Sequence, residues 1–320
     1  MKLLMISTDR KIFEKGSAVA QRQIEYAKKY EEVHIIIFSD KTFSESVIGS
    51  NIWVYPTRSL FKLLYIFDAL KLGKFIMKNK KVDYITCQDP FETGLVGALL
   101  KKKDARLELQ VHTDIGSQYF QKNNRIRTFI SRYTLKKADH IRVVSDRIKK
   151  YLGGGENIEV RPIAVDIEKI KNAPIVADLH KKYPQFSKII LMASRLEKEK
   201  NIGTALEAFK IVLQKLPVAG LVIVGSGREK GELEENAVKL GIKNSVIFEG
   251  WQDDMASYYK TCDCFLVTSL YEGYGMTLVE ARAAGAKVVS TDVGVAREAG
   301  AEIVEHTTKG ISNGIIHTIS

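Results

Sequence analysis

The chain has 320 residues, 45% hydrophobic and 27% charged, with three cysteines and a formal net charge of +11. This composition suits a soluble globular protein of about two domains. Three cysteines exclude a disulfide framework, and Lys62, Asp68, Lys71 and Lys74 break the longest apolar stretch, which excludes a membrane span. The charge is uneven: residues 1–165 hold 30 Lys and Arg against 18 Asp and Glu, net +12, residues 166–320 hold 19 against 20, net −1, and 101–150 alone hold 14 against 5.

The N-terminus enters a strand at once, over 2–7, with no basic leader or cleavage site, so no secretion signal is expected. A helix follows over 18–30, then strands over 33–39 and 52–55, a helix over 60–77, a strand over 84–87 and a helix over 92–102. The pattern continues with a strand over 106–112, a helix over 126–137 and a strand over 140–144. Ser145 then caps a helix over 146–152, which ends at Gly153-Gly154-Gly155, before a short strand over 158–161. The segment 163–188 is polar and holds Pro174 and Pro184, and it marks a domain boundary, giving domains 1–165 and 166–320.

The alternation restarts with strands over 189–194, 221–225, 246–248, 264–268 and 288–290. They are separated by helices over 202–213, 228–240, 255–260 and 276–284. Such alternation predicts an α/β fold of two doubly wound, Rossmann-like domains facing a cleft, each with a parallel sheet and helices on both faces. Ile315-Ile316 reads as the start of a strand with no closing helix after it, so the second domain reads as truncated. Cys262 and Cys264 are expected as small buried hydrophobes on one face of a strand, not as metal ligands, in a reducing cytosol.

The most informative segment runs from Ser269 to Glu280, where Glu272 and Glu280 stand eight residues apart around Gly273, Tyr274, Gly275, Met276 and Thr277. A strand, a glycine turn and a helix in succession let the backbone come close to a ligand, with free amides and the helix dipole facing an anion. Glu280, one turn into the helix, would hold a ribose diol, and Glu272 a sugar; a sugar nucleotide offers all three groups. Ligands of open α/β sheets bind at the carboxyl ends of strands. Arg195 and Lys200 follow such an end and would clamp a diphosphate. Gly225 and Gly227, beside Arg228, suit a close backbone approach to a ligand. Trp251 is either a core anchor or the platform for a base. In the first half, Gly16-Ser17 opens a helix whose free amides would face phosphate or acceptor, with Arg22 in support, and His112 sits at a strand end as a sugar contact.

Arg195 to Lys200, Gly225-Ser226-Gly227 and Glu272-Gly-Tyr-Gly to Glu280-Ala-Arg-Ala-Ala-Gly together resemble the retaining glycosyltransferases of family four, the glycosyl transferases group 1, which have the GT-B fold. Ala138-Asp139-His140, Val144-Ser145 and the Gly16 loop are similar to that family as well. The resemblance covers nearly the whole chain. It implies a nucleotide-sugar donor in the C-terminal domain and an acceptor in the N-terminal one. By position it implies Arg195 and Lys200 as the diphosphate clamp, Glu280 as the ribose ligand, Glu272 as the donor-sugar contact and His112 as the histidine near the sugar. The chain departs from the family at Lys15-Gly16-Ser17, where two glycines are usual, and at Pro162-Ile163-Ala164-Val165-Asp166. Asn313-Gly314-Ile315-Ile316 resembles an element after which family members continue into closing helices.

The expected function is thus hexosyl transfer with retention, from a nucleotide sugar to a glycan or lipid-linked acceptor, with no cofactor. The sequence has no D-x-D for a metal, and Arg195, Lys200 and the amides near Gly275–Thr277 would take a metal's place. The alternatives are a sugar-nucleotide epimerase or hydrolase on the same fold, and a non-catalytic binder of sugar nucleotides or polyanions. The basic first half suggests a cytoplasmic protein, peripheral on the inner membrane face, with an anionic membrane surface as partner. No nucleic-acid module is recognisable.

Overall fold

Near-continuous apolar runs form strands buried on both faces, as parallel sheets require. In the computed structural model, which describes residues 1–320, they build one sheet in each of two units, Met1–Arg161 and Pro162–Ser320.

The first unit runs β1 (Lys2–Ser7), α1 (Ala18–Ala27), β2 (Glu32–Ile37), β3 (Ser46–Ile48), β4 (Ile52–Pro56), α2 (Tyr65–Asn79) and β5 (Tyr84–Cys87). It continues with α3 (Glu92–Leu100), β6 (Arg106–Val111), α4 (Gln118–Asn123), α5 (Arg125–Lys137), β7 (His140–Val143), α6 (Asp146–Tyr151) and β8 (Ile158–Val160). The strand order is β3-β4-β2-β1-β5-β6-β7-β8. Every pair is parallel except β3 with β4, an antiparallel edge that the sequence pattern did not suggest. On one face, Ala69 and Ile76 of α2 and Val96 and Leu100 of α3 pack on Leu4, Ile6, Leu107 and Leu109. On the other, Val19 and Ala27 of α1 pack on Leu3, Val33 and Ile35. Ser17 caps α1 and Ser145 caps α6.

The second unit runs α7 (Ile167–Asn172), α8 (Leu179–Lys182), β9 (Lys188–Ala193), α9 (Ile202–Lys215), β10 (Ala219–Val224), α10 (Lys230–Lys239) and β11 (Val246–Glu249). Then come α11 (Met255–Thr261), β12 (Cys264–Val267), α12 (Met276–Ala283), β13 (Val288–Thr291), β14 (Glu302–Val304) and α13 (Thr308–Ile319). The order is β11-β10-β9-β12-β13-β14, all parallel. β9 has β10 on one side and β12 on the other. Their connections leave in opposite directions, which makes the carboxyl end of β9 a topological switch point.

Several expectations need correction. The units divide between Arg161 and Pro162, four residues ahead of the 165/166 boundary, and the polar segment beyond carries α7 and α8. The helix expected over 60–77 begins at Tyr65; Phe61 is extended and Lys62–Leu64 make a single 3-10 turn. The strand expected at Ile315 is instead part of α13. Ile311, Ile315 and Ile319 recur every four residues, are buried, and pack into the core shared with Leu206 and Phe209 of α9. Adjacent β-branched residues resemble a strand only when that longer period is overlooked. Cys262 ends α11, with its Sγ against the Tyr259 carbonyl at 3.4 Å, and only Cys264 lies in β12. Burial pushes the Cys262 thiol up to about 12, so it is inert as a nucleophile.

One polar cluster ties the second unit's helices to its sheet. Glu249, at the end of β11, is 9% exposed. It accepts hydrogen bonds from Lys182 Nζ at 2.8 Å, from the Tyr258 hydroxyl at 2.7 Å and from the Tyr183 hydroxyl. Burial alone would raise this carboxyl, but the three donors outweigh it and hold it below the ordinary carboxylate range. A carboxyl lowered on folding stabilises the fold above its unfolded pKa, and that contribution is lost as pH falls through its folded value. Glu249→Gln should therefore cost about 1–3 kcal/mol at neutral pH, with the difference from wild type shrinking in acid. Urea unfolding at both pH values checks this; a neutral-pH midpoint equal to wild type would remove the cluster from the account.

Candidate functional site

The carboxyl ends of β9, β10 and β12 line a cavity of about 750 Å³, formed entirely by residues of the second unit. That is the size of a small-molecule site. Two loops shape its floor. After β9, the chain turns through Ser194, Arg195 and Leu196; after β10, it turns through Gly225, Ser226 and Gly227. Val224 O and Ser226 O accept from Ser194 N at 3.1 Å and Leu196 N at 2.9 Å. Gly225 has φ +141°, and a Cβ there would lie 1.9 Å from Ser194 O; at Gly227 it would lie 2.2 Å from Leu196 O. The close approach expected of these glycines is thus to the neighbouring loop's backbone. Gly225 lines the cavity and Gly227 does not.

The two expected cations both line the cavity, and both are paired. Arg195 is 67% exposed and its guanidinium meets Glu199 Oε1 at 2.8 Å. Lys200 is only 12% exposed, and its Nζ donates to Glu272 Oε1 at 2.5 Å. The Ser269 hydroxyl donates to the same oxygen at 2.7 Å. The backbone joins the loops further: Leu270 N donates to Glu199 O at 2.8 Å, and Thr268 Oγ1 to Lys200 O at 2.9 Å.

Gly275, at φ +88°, is the residue before α12, and no side chain caps that helix. Met276 and Thr277 begin it at the cavity wall, so their amides and the positive end of the helix dipole suit an anion there. One turn on, Glu280 Oε2 accepts from the Tyr259 hydroxyl at 3.2 Å. Burial, then Glu280 itself, pushes that phenol upward, so it stays a donor. Tyr259 is fixed edge-on to Phe265, centroids 5.0 Å apart. Gly273 and Tyr274 do not line the cavity; the Tyr274 carbonyl accepts from Val295 N at 2.9 Å and anchors the loop behind it.

Trp251 is 76% exposed, so it is not a core anchor. It lines the cavity with its Nε1–H on Asp253 Oδ1 at 3.1 Å. Sequence reasoning missed Asp254, which caps α11 through Oδ1 while its buried Oδ2, in a cavity-lining residue, has no partner. An Asp immediately before a helix is a capping signal that gives no hint of the second oxygen. It also missed Glu199, Ser269 and Tyr259, the residues that hold the expected ones in place.

Gly16 and His112 belong to the first unit and are not part of this cavity. Gly16, at φ +78°, has open space where a Cβ would stand and precedes the Ser17 cap of α1. His112 follows β6, and its Nε2 donates to Gln110 Oε1 at 3.3 Å. Gln110 Nε2 in turn donates to Thr86 Oγ1 at 3.0 Å, and Thr86 to the buried Glu108 at 2.8 Å. Part of the imidazole meets solvent, yet desolvation by the surrounding protein disfavours its charged form and Arg142 adds to that, so its pKa is lowered and the neutral ring is favoured.

Comparison with known proteins gives the same outline. Residues 24–169 match "Glycosyltransferase Family 4" and residues 178–312 match "Glycosyl transferases group 1". An uncharacterized glycosyltransferase of Methanocaldococcus jannaschii, MJ1059, is 27% identical over 83% of this chain and 70% of its own length. Alpha-monoglucosyldiacylglycerol synthase of Streptococcus pneumoniae is 30% identical over 67% of this chain, which spans 53% of the synthase. The crystal structure of Anabaena HepE in complex with UDP and glucose shares the fold, with a TM-score of 0.71 at 21% identity, covering 99% of this chain and 89% of HepE. With two parallel-sheet units of the GT-B type and a family match in each, the chain belongs to the group 1, family 4 glycosyltransferases.

Proposed function

We propose that this chain transfers a hexosyl group from a nucleotide sugar to a glycan or lipid-linked acceptor, with retention of the anomeric configuration. The observation that carries the proposal is the grouping of Arg195, Lys200, the uncapped start of α12, Glu272 and Glu280 on one cavity at the switch point. The names of the relatives agree with it: HepE is known with UDP and glucose, and the pneumococcal synthase makes a glucosylated diacylglycerol.

In the proposed reaction the bond between the anomeric carbon and the diphosphate oxygen breaks, and the acceptor hydroxyl oxygen bonds to that carbon. The hydroxyl proton passes to the leaving phosphate oxygen, as the family implies. Negative charge grows on the diphosphate as the bond lengthens. Arg195, Lys200 and the amides of Met276 and Thr277 would stabilise it where it develops. Lys200 is held by Glu272 at 2.5 Å, so a diphosphate would compete with Glu272 for the ammonium. The freed carboxylate would then accept from sugar hydroxyls. Glu280, steadied by Tyr259, would accept from the ribose diol, and Trp251 would offer its face to the base.

Lys200→Ala should weaken nucleoside diphosphate binding by roughly 1.5–3 kcal/mol. Arg195→Ala should weaken it less, because the guanidinium itself is largely in solvent. Isothermal titration reads both; normal affinity in the two variants rules out a clamp.

The two glutamates should separate. Glu280→Gln should weaken nucleoside diphosphate and nucleotide sugar alike, whereas Glu272→Gln should spare the nucleoside diphosphate and slow transfer. Should Glu280→Gln bind the nucleoside diphosphate as wild type does, it is not the ribose ligand. Detecting a glycosylated product distinguishes a transferase from a binder, and the anomeric proton coupling of that product reports retention.

We also propose that no metal ion takes part, because the two cations and the helix start supply the positive charge a metal would bring. Transfer should then survive exhaustive chelation with its rate unchanged. A loss of rate restored by a divalent cation would count against this.

A further inference from the structure

Nine of the molecule's twenty exposed large apolar side chains fall in two short stretches, 60–75 and 99–133. Scattered single exposures need no explanation; these are gathered on one layer. α2, α3 and α5 lie side by side, with α3 packed between the other two. Ala69, Ile76, Val96 and Leu100 turn inward to one face of the sheet, with Leu135 of α5 packed against the same core. The opposite sides of these helices therefore form one outer face. On α2 it shows Phe67 and Phe75, 70% and 63% exposed, and on α5 Ile126 and Phe129, 77% and 75% exposed. Phe61 and Leu63 stand out just ahead of α2. Leu70, by contrast, packs against the core of the sheet.

The cations share this face. Lys71, Lys74 and Lys78 alternate with the phenylalanines of α2, and Arg125, Arg132 and Lys136 with the apolar residues of α5; all six are exposed. α5 has no acidic residue at all. The acids nearby are already engaged: Asp68 accepts from Ser59, and Glu92 pairs with Arg127. Large apolar groups set among cations, on helices lying flat, form an interfacial surface of the kind that enters the headgroup boundary. We infer that the outer face of α2, α3 and α5 docks on an anionic lipid bilayer, with Phe67, Phe75, Ile126 and Phe129 inserted and the Lys and Arg side chains at the headgroups. A second copy of the chain fits less well, because a two-fold contact would set this positive face against itself. The inference concerns where the chain sits and holds whatever acceptor the proposed transfer uses.

The test is co-sedimentation with vesicles of phosphatidylcholine alone and of phosphatidylcholine mixed with phosphatidylglycerol. Wild type should pellet with the anionic vesicles only and be released by salt, since the Debye length is roughly 8 Å at physiological ionic strength. Phe67→Ser with Phe129→Ser should weaken binding by roughly tenfold or more, and Lys74→Glu with Arg132→Glu by at least roughly thirtyfold. Both pairs are exposed, so their thermal midpoints should match wild type and no product need be measured. Lys28→Glu with Lys29→Glu, in the turn that ends α1 on the other face of the sheet, should bind as wild type does. Equal pelleting with neutral vesicles, none with anionic ones, an equal loss in the α1 variant, or a dimer in sedimentation equilibrium that Phe67→Ser abolishes would each overturn the inference.

Discussion

The second unit's cavity is organised around the contact between Lys200 and Glu272. These residues are 72 positions apart, on loops that leave β9 and β12, the strands that flank the switch point. An ion pair this little exposed gives modest net stability, because desolvation offsets most of the attraction. The neutral bonds around it, from Leu270 N to Glu199 O and from Thr268 to Lys200 O, carry the joining of the loops. Asn201 at φ +53° then lets α9 begin immediately after the turn. The ion pair is thus better understood as a poised arrangement: an ammonium and a carboxylate, both desolvated, both already aimed at the cavity.

The opposite side of the same loop is fixed by steric exclusion. With Gly225 and Gly227 against Ser194 O and Leu196 O, any side chain at those two positions would push the loops apart. Arg195 sits between the two contacts, so its backbone is set even though its guanidinium, paired with Glu199, is largely exposed. The α12 side follows the same logic. Tyr259 holds Glu280 and Phe265 holds Tyr259, while the left-handed Gly275 turns the chain into a helix with no competing side-chain cap. The backbone at Arg195 and the side chain of Glu280 are thus held in place ahead of a ligand, which lowers the entropy cost of binding.

The strands were legible because burial on both faces demands runs such as those of β1, β2 and β10, and the ends of those runs located Arg195, Gly225 and Glu272. Legibility failed where a residue's role is set by a distant partner. Nothing in the spacing of Arg195 and Lys200 reveals that Glu199 and Glu272 occupy them, or that Tyr259 supports Glu280. The glycines after β10 were read as places for a ligand to approach, whereas the neighbouring loop's backbone is what lies against them. At α13, two adjacent isoleucines masked a period of four, and at 60–64 an apolar run continued the pattern of α2 without joining that helix. That last misreading is instructive, because a run that is apolar yet exposed breaks the assumption behind periodicity, that apolar residues face the core.

The two halves of the chain use charge differently. The second unit is close to neutral, and at its cavity Arg195 and Lys200 are matched by carboxylates within 2.8 Å. Such a site exerts little long-range pull on an anionic donor; its discrimination must come from contacts made only once the ligand has arrived, where pairs can exchange. The first unit carries the excess of positive charge, and on α2 and α5 all of that charge but Arg127 is set among apolar side chains instead of being paired off. A surplus of this kind acts over a Debye length and falls away with salt, which suits attraction to an extended surface and not recognition of a small molecule. The asymmetry in charge is therefore consistent with a division of labour: near-neutral, paired ions where a ligand must be told apart from its analogues, and unpaired cations where only an anionic surface has to be found.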